Sequence, residues 1–415
     1  MNNSSPLRDI TRELLGRIKQ ASLVVGIPSF NNGATIGHVV RMTAEGLTKF
    51  FPSYSSAVIV ADGGSTLDNS REEALAAIRQ SGIPGVVGIY RGLPGKGSAV
   101  RMIFAAAAEL QAQAVALLDA DLRSVKPLWV ERLLGPILQA GAVFVSPLYV
   151  RYKYDGTITN NVAYNMLRCL YGKRIRQPIG GEFGLAMPLV KNLLAQPVWD
   201  TDIARFGIDI WLTVSALTSQ VPCYQTHLGV KVHDAKDPAT SLEPMFRQVV
   251  GTLFSLMEVT EEHWLPRDGS EPVPVWGDPI RQEPEAFPID LHRLINQFYL
   301  SWKTLHGAWE SVLRPDTFSE LAAYVASGSR VFELPTDLWV RILFEFAGAY
   351  HRRPDYKRQV LEVLSPLYFA RVASFIRRTQ SLSNQEAEEV VEEQARIFEV
   401  RKPYLRSLWS ADNQK

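Results

Sequence analysis

Between about positions 21 and 148 the chain alternates two hydrophobic patterns. Short apolar runs over 22–30, 56–62, 85–90, 115–121 and 142–150 are bounded by Gly, Pro, Asn and Asp and read as buried strands. The stretches between them, 34–49, 70–79, 97–110 and 127–139, carry apolar residues at helical spacing, the third unusually rich in alanine. Regular strand–helix alternation predicts an α/β fold: a mostly parallel sheet with helices on both faces and right-handed crossovers. Ahead of it, Leu7, Ile10, Leu14 and Ile18 predict a short amphipathic helix within residues 1–20.

Beyond the alternating block the pattern changes twice. Residues 149–262 mix helical stretches with a strand over 221–232, and are expected to complete one domain, 21–262, as its second half after 21–148. Six prolines fall between Pro266 and Pro288, so 263–288 is expected to be an extended linker without regular structure. Residues 289–415 read as a helical region, with Leu291, Leu294, Ile295 and Phe298 on one stripe and Leu338, Ile342, Phe346 and Ala349 on another. Its expected role is packing rather than chemistry.

Composition narrows the function by exclusion. The 415 residues are 46% hydrophobic and 21% charged, with a net charge of +1, so no global basic field favours nucleic acid or an anionic membrane. Neither partner is expected, and a phosphate site would have to be local. No apolar stretch approaches the length of a membrane span, and the first 20 residues lack the apolar core of a signal peptide. The two cysteines, Cys169 and Cys223, have no metal-ligand spacing, which excludes a disulfide framework and fits a reducing cytoplasm. A homodimer is expected.

Candidate chemistry gathers where the strands end, the place at which open α/β sheets bind ligands. Asp119-Ala120-Asp121 closes an apolar run; two carboxylates one residue apart in an extended segment point the same way and can hold a hard divalent cation, Mg2+ or Mn2+. Pro28, Ser29 and Asn31 end the first strand, where small and amide side chains allow close approach of a nucleotide, although Asn-Asn-Gly is also common turn chemistry. Asp62, before a glycine pair, could accept a ribose or base hydrogen bond or could cap the next helix. Gly95-Lys96-Gly97 opens the alanine-rich helix, so backbone, helix N-terminus and a lysine could meet a diphosphate; it does not match a Walker A loop. Gly181-Glu182 places a carboxylate after a glycine pair. Asp209 stands at a helix start, where the dipole alone would stabilise it. His233 follows the 221–232 strand, and a lone histidine there is either structural or a ligand.

In this order, over about residues 22–259, the segments resemble the retaining GT-A glycosyltransferases that make glucosylglycerate, mannosylglycerate and glucosyl-3-phosphoglycerate. Leu93–Gly97 reproduces that family's L-P-G-K-G loop, Pro178–Glu182 its P-x-G-G-E element, Asp119-Ala120-Asp121 its acidic motif, and His233 its metal histidine. The resemblance implies a GT-A domain that binds a nucleoside diphosphate sugar, GDP- or UDP-glucose, and a divalent metal. Asp121 and His233 would ligate the metal and Lys96 would meet the diphosphate. Asp119 would contact ribose or sugar, and Glu182 the donor sugar. Asp121, Glu182 and Asp209 are the candidate catalytic residues. Pro28, Ser29, Asn31, Asp62, Gly95, Lys96, Asp119 and Ala120 are the candidate nucleotide-binding ones. Gly181 and Glu182 are also candidates for substrate contact.

The acceptor elements divide the subfamilies. The mannosylglycerate-type pattern of Arg, Asp and Thr at four-residue intervals is matched by Arg151, Asp155 and Thr159, in which a cation suits a glycerate carboxylate. The phosphoglycerate enzymes have Arg where this chain has Thr157, and H-R-N-R where it has His233-Asp234-Ala235-Lys236. Fewer cations and added aspartates disfavour a phosphorylated acceptor on Coulomb grounds. The expected activity is transfer of glucose to D-glycerate, giving the compatible solute glucosylglycerate. Glucosyl-3-phosphoglycerate synthesis and mannosylglycerate synthesis are the alternatives within the family. A sugar-nucleotide pyrophosphorylase would want G-x-G-T-R after the first strand, and a silent nucleotide-sugar binding protein would not need the metal ligands.

Overall fold

The computed structural model describes residues 5–233, 242–328 and 332–410. The chain opens with α1 (Asp9–Ile18), β1 (Leu23–Ser29), α2 (Ile36–Phe50), β2 (Ser56–Asp62), α3 (Ser70–Ser81) and β3 (Gly85–Ile89). It continues through α4 (Lys96–Glu109), β4 (Ala114–Leu117), α5 (Pro127–Ala140) and β5 (Phe144–Val150). A π-helical turn (Thr159–Ala163), α6 (Tyr164–Tyr171) and β6 (Lys173–Arg174) follow, then β7 (Phe183–Ala186), α7 (Met187–Leu194), α8 (Ile208–Thr218) and β8 (Cys223–Val230). Last come α9 (Leu242–Val259), α10 (Glu261–Trp264), β9 (Glu271–Pro272), β10 (Val275–Trp276), α11 (Leu291–Val312), α12 (Pro315–Ala326), α13 (Thr336–Arg352), α14 (Lys357–Thr379), α15 (Asn384–Val400) and α16 (Lys402–Ser410).

The chain forms two units, and their limits differ from the sequence expectation. Unit 1 comprises 1–150, 177–235 and 273–284; unit 2 comprises 151–176, 236–272 and 285–415. The stretch 149–262, expected as half of one domain, is therefore divided between them.

Unit 1 holds an eight-stranded sheet in the order β10-β8-β5-β7-β4-β1-β2-β3. All neighbours are parallel except at β7, which runs antiparallel to both β4 and β5. The central strands bury both faces, as helix-covered parallel strands do. On one face, Leu23, Val25 and Ile27 of β1 pack with Ile36, Val39 and Leu47 of α2, Ala74 and Ile78 of α3, and Trp129 and Leu133 of α5. On the other face α4 lies against β1 at Gly26, where a Cβ would come within 2.1 Å of Ile103. This is the α/β architecture that the alternation predicts.

Three local expectations are corrected. In α1 the buried face is Thr11 and Leu15, with Leu7 just ahead of the helix also buried, while Ile10 is 60% exposed. The fourth strand stops at Leu117, so Asp119 and Asp121 occupy the turn after it rather than an extended segment. The proline-rich segment is not structureless: β10 is the edge strand of the large sheet, and the Gln225 N–H donates to the Pro274 carbonyl at 2.9 Å. An edge position, with hydrogen bonds needed on one side only, suits a short strand flanked by prolines.

Unit 2 is helical, with the small β6–β9 pair attached. The α13 stripe of Leu338, Ile342, Phe346 and Ala349 is buried throughout, while in α11 Leu294 and Phe298 are buried and Leu291 and Ile295 half-buried. One stretch, Pro354–Thr379, is long and apolar enough to cross a membrane by length and composition, but 78% of its most apolar 18-residue window is buried inside the fold. Cys169 and Cys223 are both buried, and no disulfide joins them.

Gly184 of β7 sits under α5, where an added Cβ would lie 2.1 Å from the Leu133 carbonyl oxygen. Gly184→Ala forces two backbones apart and should destabilise unit 1 by about 1–3 kcal/mol, the usual scale of overpacking. Urea unfolding of the two proteins measures it; unchanged stability would contradict this packing.

Candidate active site

The sheet's topology explains how residues distant in sequence reach one edge. β4 ends at Leu117, and its antiparallel partner β7 begins at Phe183 in register with Leu117. Glu182 therefore lies beside the Asp119 turn, and the Asp119 N–H points at Glu182 Oε1 at 3.4 Å. β5 and β8 run parallel and end together, Val150 opposite Val230, which brings Tyr149 and Lys231 to the same edge. Lys96 opens α4 and Asp209 lies in the first turn of α8.

These residues form one charge network. Lys96 Nζ lies 2.8 Å from Asp119 Oδ1 and 3.1 Å from Asp209 Oδ2. Lys231 Nζ lies 3.2 Å from Asp119 Oδ2, donates to Glu182 Oε1 and Oε2 at 3.0 and 2.9 Å, and donates to the Gly180 carbonyl at 2.8 Å. The Tyr149 hydroxyl donates to Glu182 Oε2. Asp119 is thus clamped between two ammonium groups, one from each side.

Electrostatics follow from burial and pairing. Burial alone would raise the Asp119 pKa, but Lys96 and Lys231 more than reverse this and hold it well below the usual carboxylate range. Burial alone would lower the Lys96 pKa, but Asp119 and Asp209 hold it above the ordinary lysine value. Glu182 is pushed up to about 7, chiefly by burial with Asp119 adding to it, although Lys231 opposes the rise. Asp209 is also raised, by burial first and against the pull of Lys96.

Gly181 is required twice over. Its φ of +93° lies in the left-handed region, and a Cβ there would fall 2.3 Å from Asp119 Oδ2. Gly97 is required by close approach: a Cβ would meet the Ile203 carbonyl at 1.8 Å, where α4 begins against the 3-10 turn Asp202–Ala204.

Asp121 behaves differently from Asp119. Among the described residues its carboxylate has no hydrogen-bond or ion-pair partner. The chain after β8 returns beside it: Arg123 N donates to Val232 O at 2.9 Å, Val232 N donates to Ser124 Oγ at 2.8 Å, and the Arg123 guanidinium donates to His233 O at 3.3 Å. His233 is thereby tied to the loop that carries Asp121. No group of three or more His, Cys, Asp or Glu capable of holding a metal by itself occurs among the described residues. Asp121 and His233 alone would be too few to hold a cation, and any such site would need further oxygens.

The expected nucleotide residues line the carboxyl ends of β1 and β2. Ser29 is buried, and its Oγ has no hydrogen-bond partner among the described residues. Ser29 O accepts from Gly63 N at 2.9 Å, which ties Pro28-Ser29 to the β2 end. Asn31 adopts φ +57° in the turn. Asp62 is buried, accepts from Gly64 N at 2.7 Å, and is raised in pKa by burial against the pull of that bond and of Arg71. The Ala120 carbonyl accepts from the Thr35 hydroxyl at 2.7 Å, and Gly95 N donates to Tyr90 Oη at 3.0 Å.

Two candidates are already engaged within the protein. Glu182 is fully buried and braces Asp119 and Lys231. Lys96 is ion-paired on two sides. Lys231 was missed: a single lysine after a strand carries no local signal. Phe30 was also missed; it is 61% exposed and rests over Gly63, where a Cβ would lie 2.5 Å from its ring.

The acceptor candidates belong to unit 2. Arg151 and Asp155 form an ion pair at 3.4 Å, and Thr159 is buried at the start of the π-helical turn. Thr157 is buried and its hydroxyl shares a 2.7 Å hydrogen bond with Tyr368. That position is not an open surface onto which an arginine could be grafted. Asp234 and Lys236 lie outside the described residues.

Residues 24–185 match the glycosyl transferase family 2 model, a span that contains Lys96, the Asp119–Asp121 turn and Glu182. That span of the chain is therefore a domain of the glycosyl transferase family 2 type. It is similar to the glucosyl-3-phosphoglycerate synthase of Mycolicibacterium smegmatis, 29% identical over 256 residues that cover 57% of this chain and 78% of that one. The enzyme of the same name from Mycolicibacterium paratuberculosis is 28% identical, over 56% of this chain and 72% of that one. Among solved structures, the Mycobacterium tuberculosis glucosyl-3-phosphoglycerate synthase with phosphoglyceric acid aligns at 28% identity and a TM-score of 0.46, covering 58% of this chain and 83% of that one. The same enzyme with Mn2+, UDP and glucosyl-3-phosphoglycerate aligns equally, at a TM-score of 0.46.

Lys231→Met leaves Glu182 and Asp119 short of a buried counter-charge and should destabilise unit 1 by about 3–5 kcal/mol. Adding Glu182→Gln removes one of the stranded charges and should recover a substantial part of that loss. Denaturant melts of the single and double variants check this; a double variant no more stable than the single one would show that the network is not the cause.

Proposed function

We propose that this chain transfers glucose, with retention, from a nucleoside diphosphate glucose to D-glycerate. The observation that carries the acceptor reading is the buried Thr157–Tyr368 hydrogen bond. Where the resembled phosphoglycerate enzymes have an arginine, this chain has a neutral side chain whose hydroxyl is already committed. Lys153, in the same loop, donates its ammonium protons to three backbone carbonyls. Arg151, paired with Asp155, is a further cation of this loop, and a single guanidinium suits one carboxylate better than the added charges of a phosphate. Asp155 and Thr159 supply acceptor and donor capacity for glycerate hydroxyls.

On the donor side, the partnerless Ser29 Oγ, buried Asp62 and the exposed Phe30 ring offer hydrogen bonds and a flat apolar face to a nucleotide. A divalent Mg2+ or Mn2+ would be held by Asp121 and His233, a carboxylate and an imidazole that fit a cation needing further oxygens from a diphosphate. When bound, the ion would neutralise charge on the leaving diphosphate. Asp209, 15% exposed at its side chain and paired to Lys96, remains partly open to a ligand. The other reading, 3-phosphoglycerate as acceptor, is favoured by the names of the relatives.

The test uses the purified full-length chain with GDP- and UDP-glucose, D-glycerate and 3-phosphoglycerate, with and without chelator. The expected result is a kcat/KM for glycerate at least tenfold above that for 3-phosphoglycerate, about 1.4 kcal/mol, and an α-configured product. A tenfold preference for 3-phosphoglycerate would overturn the acceptor reading. Asp121→Ala should cut transfer by about a hundredfold or more, the scale of losing one charge partner in the transition state. Full activity in excess chelator would sink the metal assignment.

A further inference from the structure

The helical region holds the acceptor loop from below by a lysine clasp. Lys153 Nζ donates to the carbonyls of Thr379, Gln380 and Leu382 at 2.7, 3.2 and 2.6 Å. These carbonyls lie at and just beyond the end of α14, where the helix dipole favours a cation; the Thr379 carbonyl also accepts from Leu382 N at 3.0 Å. Lys153 N donates to Asn384 Oδ1 at 3.0 Å, at the first residue of α15. The same corner is stiffened from within, because Ser383 and Glu386 form a reciprocal capping box at the start of α15. Two more bonds continue along α14: Tyr154 Oη to the Ile376 carbonyl at 3.3 Å, and the Thr157–Tyr368 pair.

The α14 stretch thus meets the loop at three points: its end takes Lys153, Ile376 takes Tyr154 and Tyr368 takes Thr157. Between the clasp at Lys153 and the bond at Thr157 the chain must turn back. It does so at Gly156, φ +69°, with Arg151 folded over the turn to pair with Asp155. The Arg151–Asp155 pair thus sits on a stretch of backbone held at Lys153 and at Thr157.

We infer that Lys153 is a positioning residue for the acceptor: it fixes Arg151 and Asp155 through the α14–α15 corner and gives the helical region a role in acceptor recognition. This rests on the reading of Arg151 and Asp155 as acceptor-binding residues. It makes the 289–415 region part of the specificity apparatus and not only a packing partner.

The test is steady-state kinetics of Lys153→Met, Lys153→Arg, Arg151→Ala and Leu321→Ala in the full-length chain, with thermal melts of each. Leu321, buried in α12, serves as a control that destabilises the helices without touching the loop. Lys153→Met should raise the acceptor KM about tenfold or more, while donor KM and acceptor-independent hydrolysis of the NDP-glucose stay within about twofold. Lys153→Arg, which keeps the donors, should restore most of the loss, and Leu321→Ala should lower the melting temperature without moving the acceptor KM. If Arg151→Ala raises the acceptor KM and Lys153→Met does not, the inference is overturned and the acceptor reading stands. If neither moves it, both are overturned. If Lys153→Met changes donor and acceptor constants together, or Leu321→Ala reproduces its effect, Lys153 is merely structural and the inference is overturned.

Discussion

Asp119 held between Lys96 and Lys231 is the constraint on which the rest of the site depends. Neither lysine is a neighbour in sequence: one opens α4 and the other follows β8. A buried carboxylate without a partner would protonate or push the turn into solvent, whereas two ammonium groups keep it charged and fixed. The desolvation cost is offset only because every member has a second partner: Asp209 for Lys96, and Glu182 and the Gly180 carbonyl for Lys231. Gly181 must then lack a side chain, since the space for one is occupied by the Asp119 carboxylate.

The same pairing separates the two aspartates that look equivalent in sequence. Asp119 is neutralised by the protein, whereas Asp121 has no ion-pair or hydrogen-bond partner among the described residues. An extended strand would have pointed both the same way, and ending β4 at Leu117 frees the two from that constraint.

Much of the sheet was legible because its signals are local. Apolar runs, turn residues and helix starts each lie within a few positions of one another, so strand ends and the residues on them could be read directly. What was not legible depends on partners far along the chain. Lys231 has no neighbour in sequence that marks it, and the burial of Glu182 follows from β7 running against β4, which periodicity does not reveal. β10 is two residues long among prolines and forms only because an edge strand needs hydrogen bonds on one side. In α1 the spacing of Leu7, Thr11 and Leu15 fits a helix as well as that of Leu7, Ile10, Leu14 and Ile18. Burying Thr11 against Gly88 decides between them, since Gly88 leaves room for the threonine side chain.

The division of the chain into units bears on how acceptor preference could change. Unit 1 takes the strand ends and the charge network, while 151–176 joins the C-terminal helices. A substitution at Thr157 is answered by Tyr368, and one at Lys153 by the end of α14, so the loop cannot be re-charged one residue at a time without cost to the helices beneath it. An arginine at Thr157 would bring a cation but break a buried hydrogen bond and overfill a buried position. Tyr368 would have to shrink or move in the same step. Acceptor charge and helical packing are therefore coupled through the same few contacts, and a chain with a cation at that loop position needs a different partner on α14, not merely a different loop.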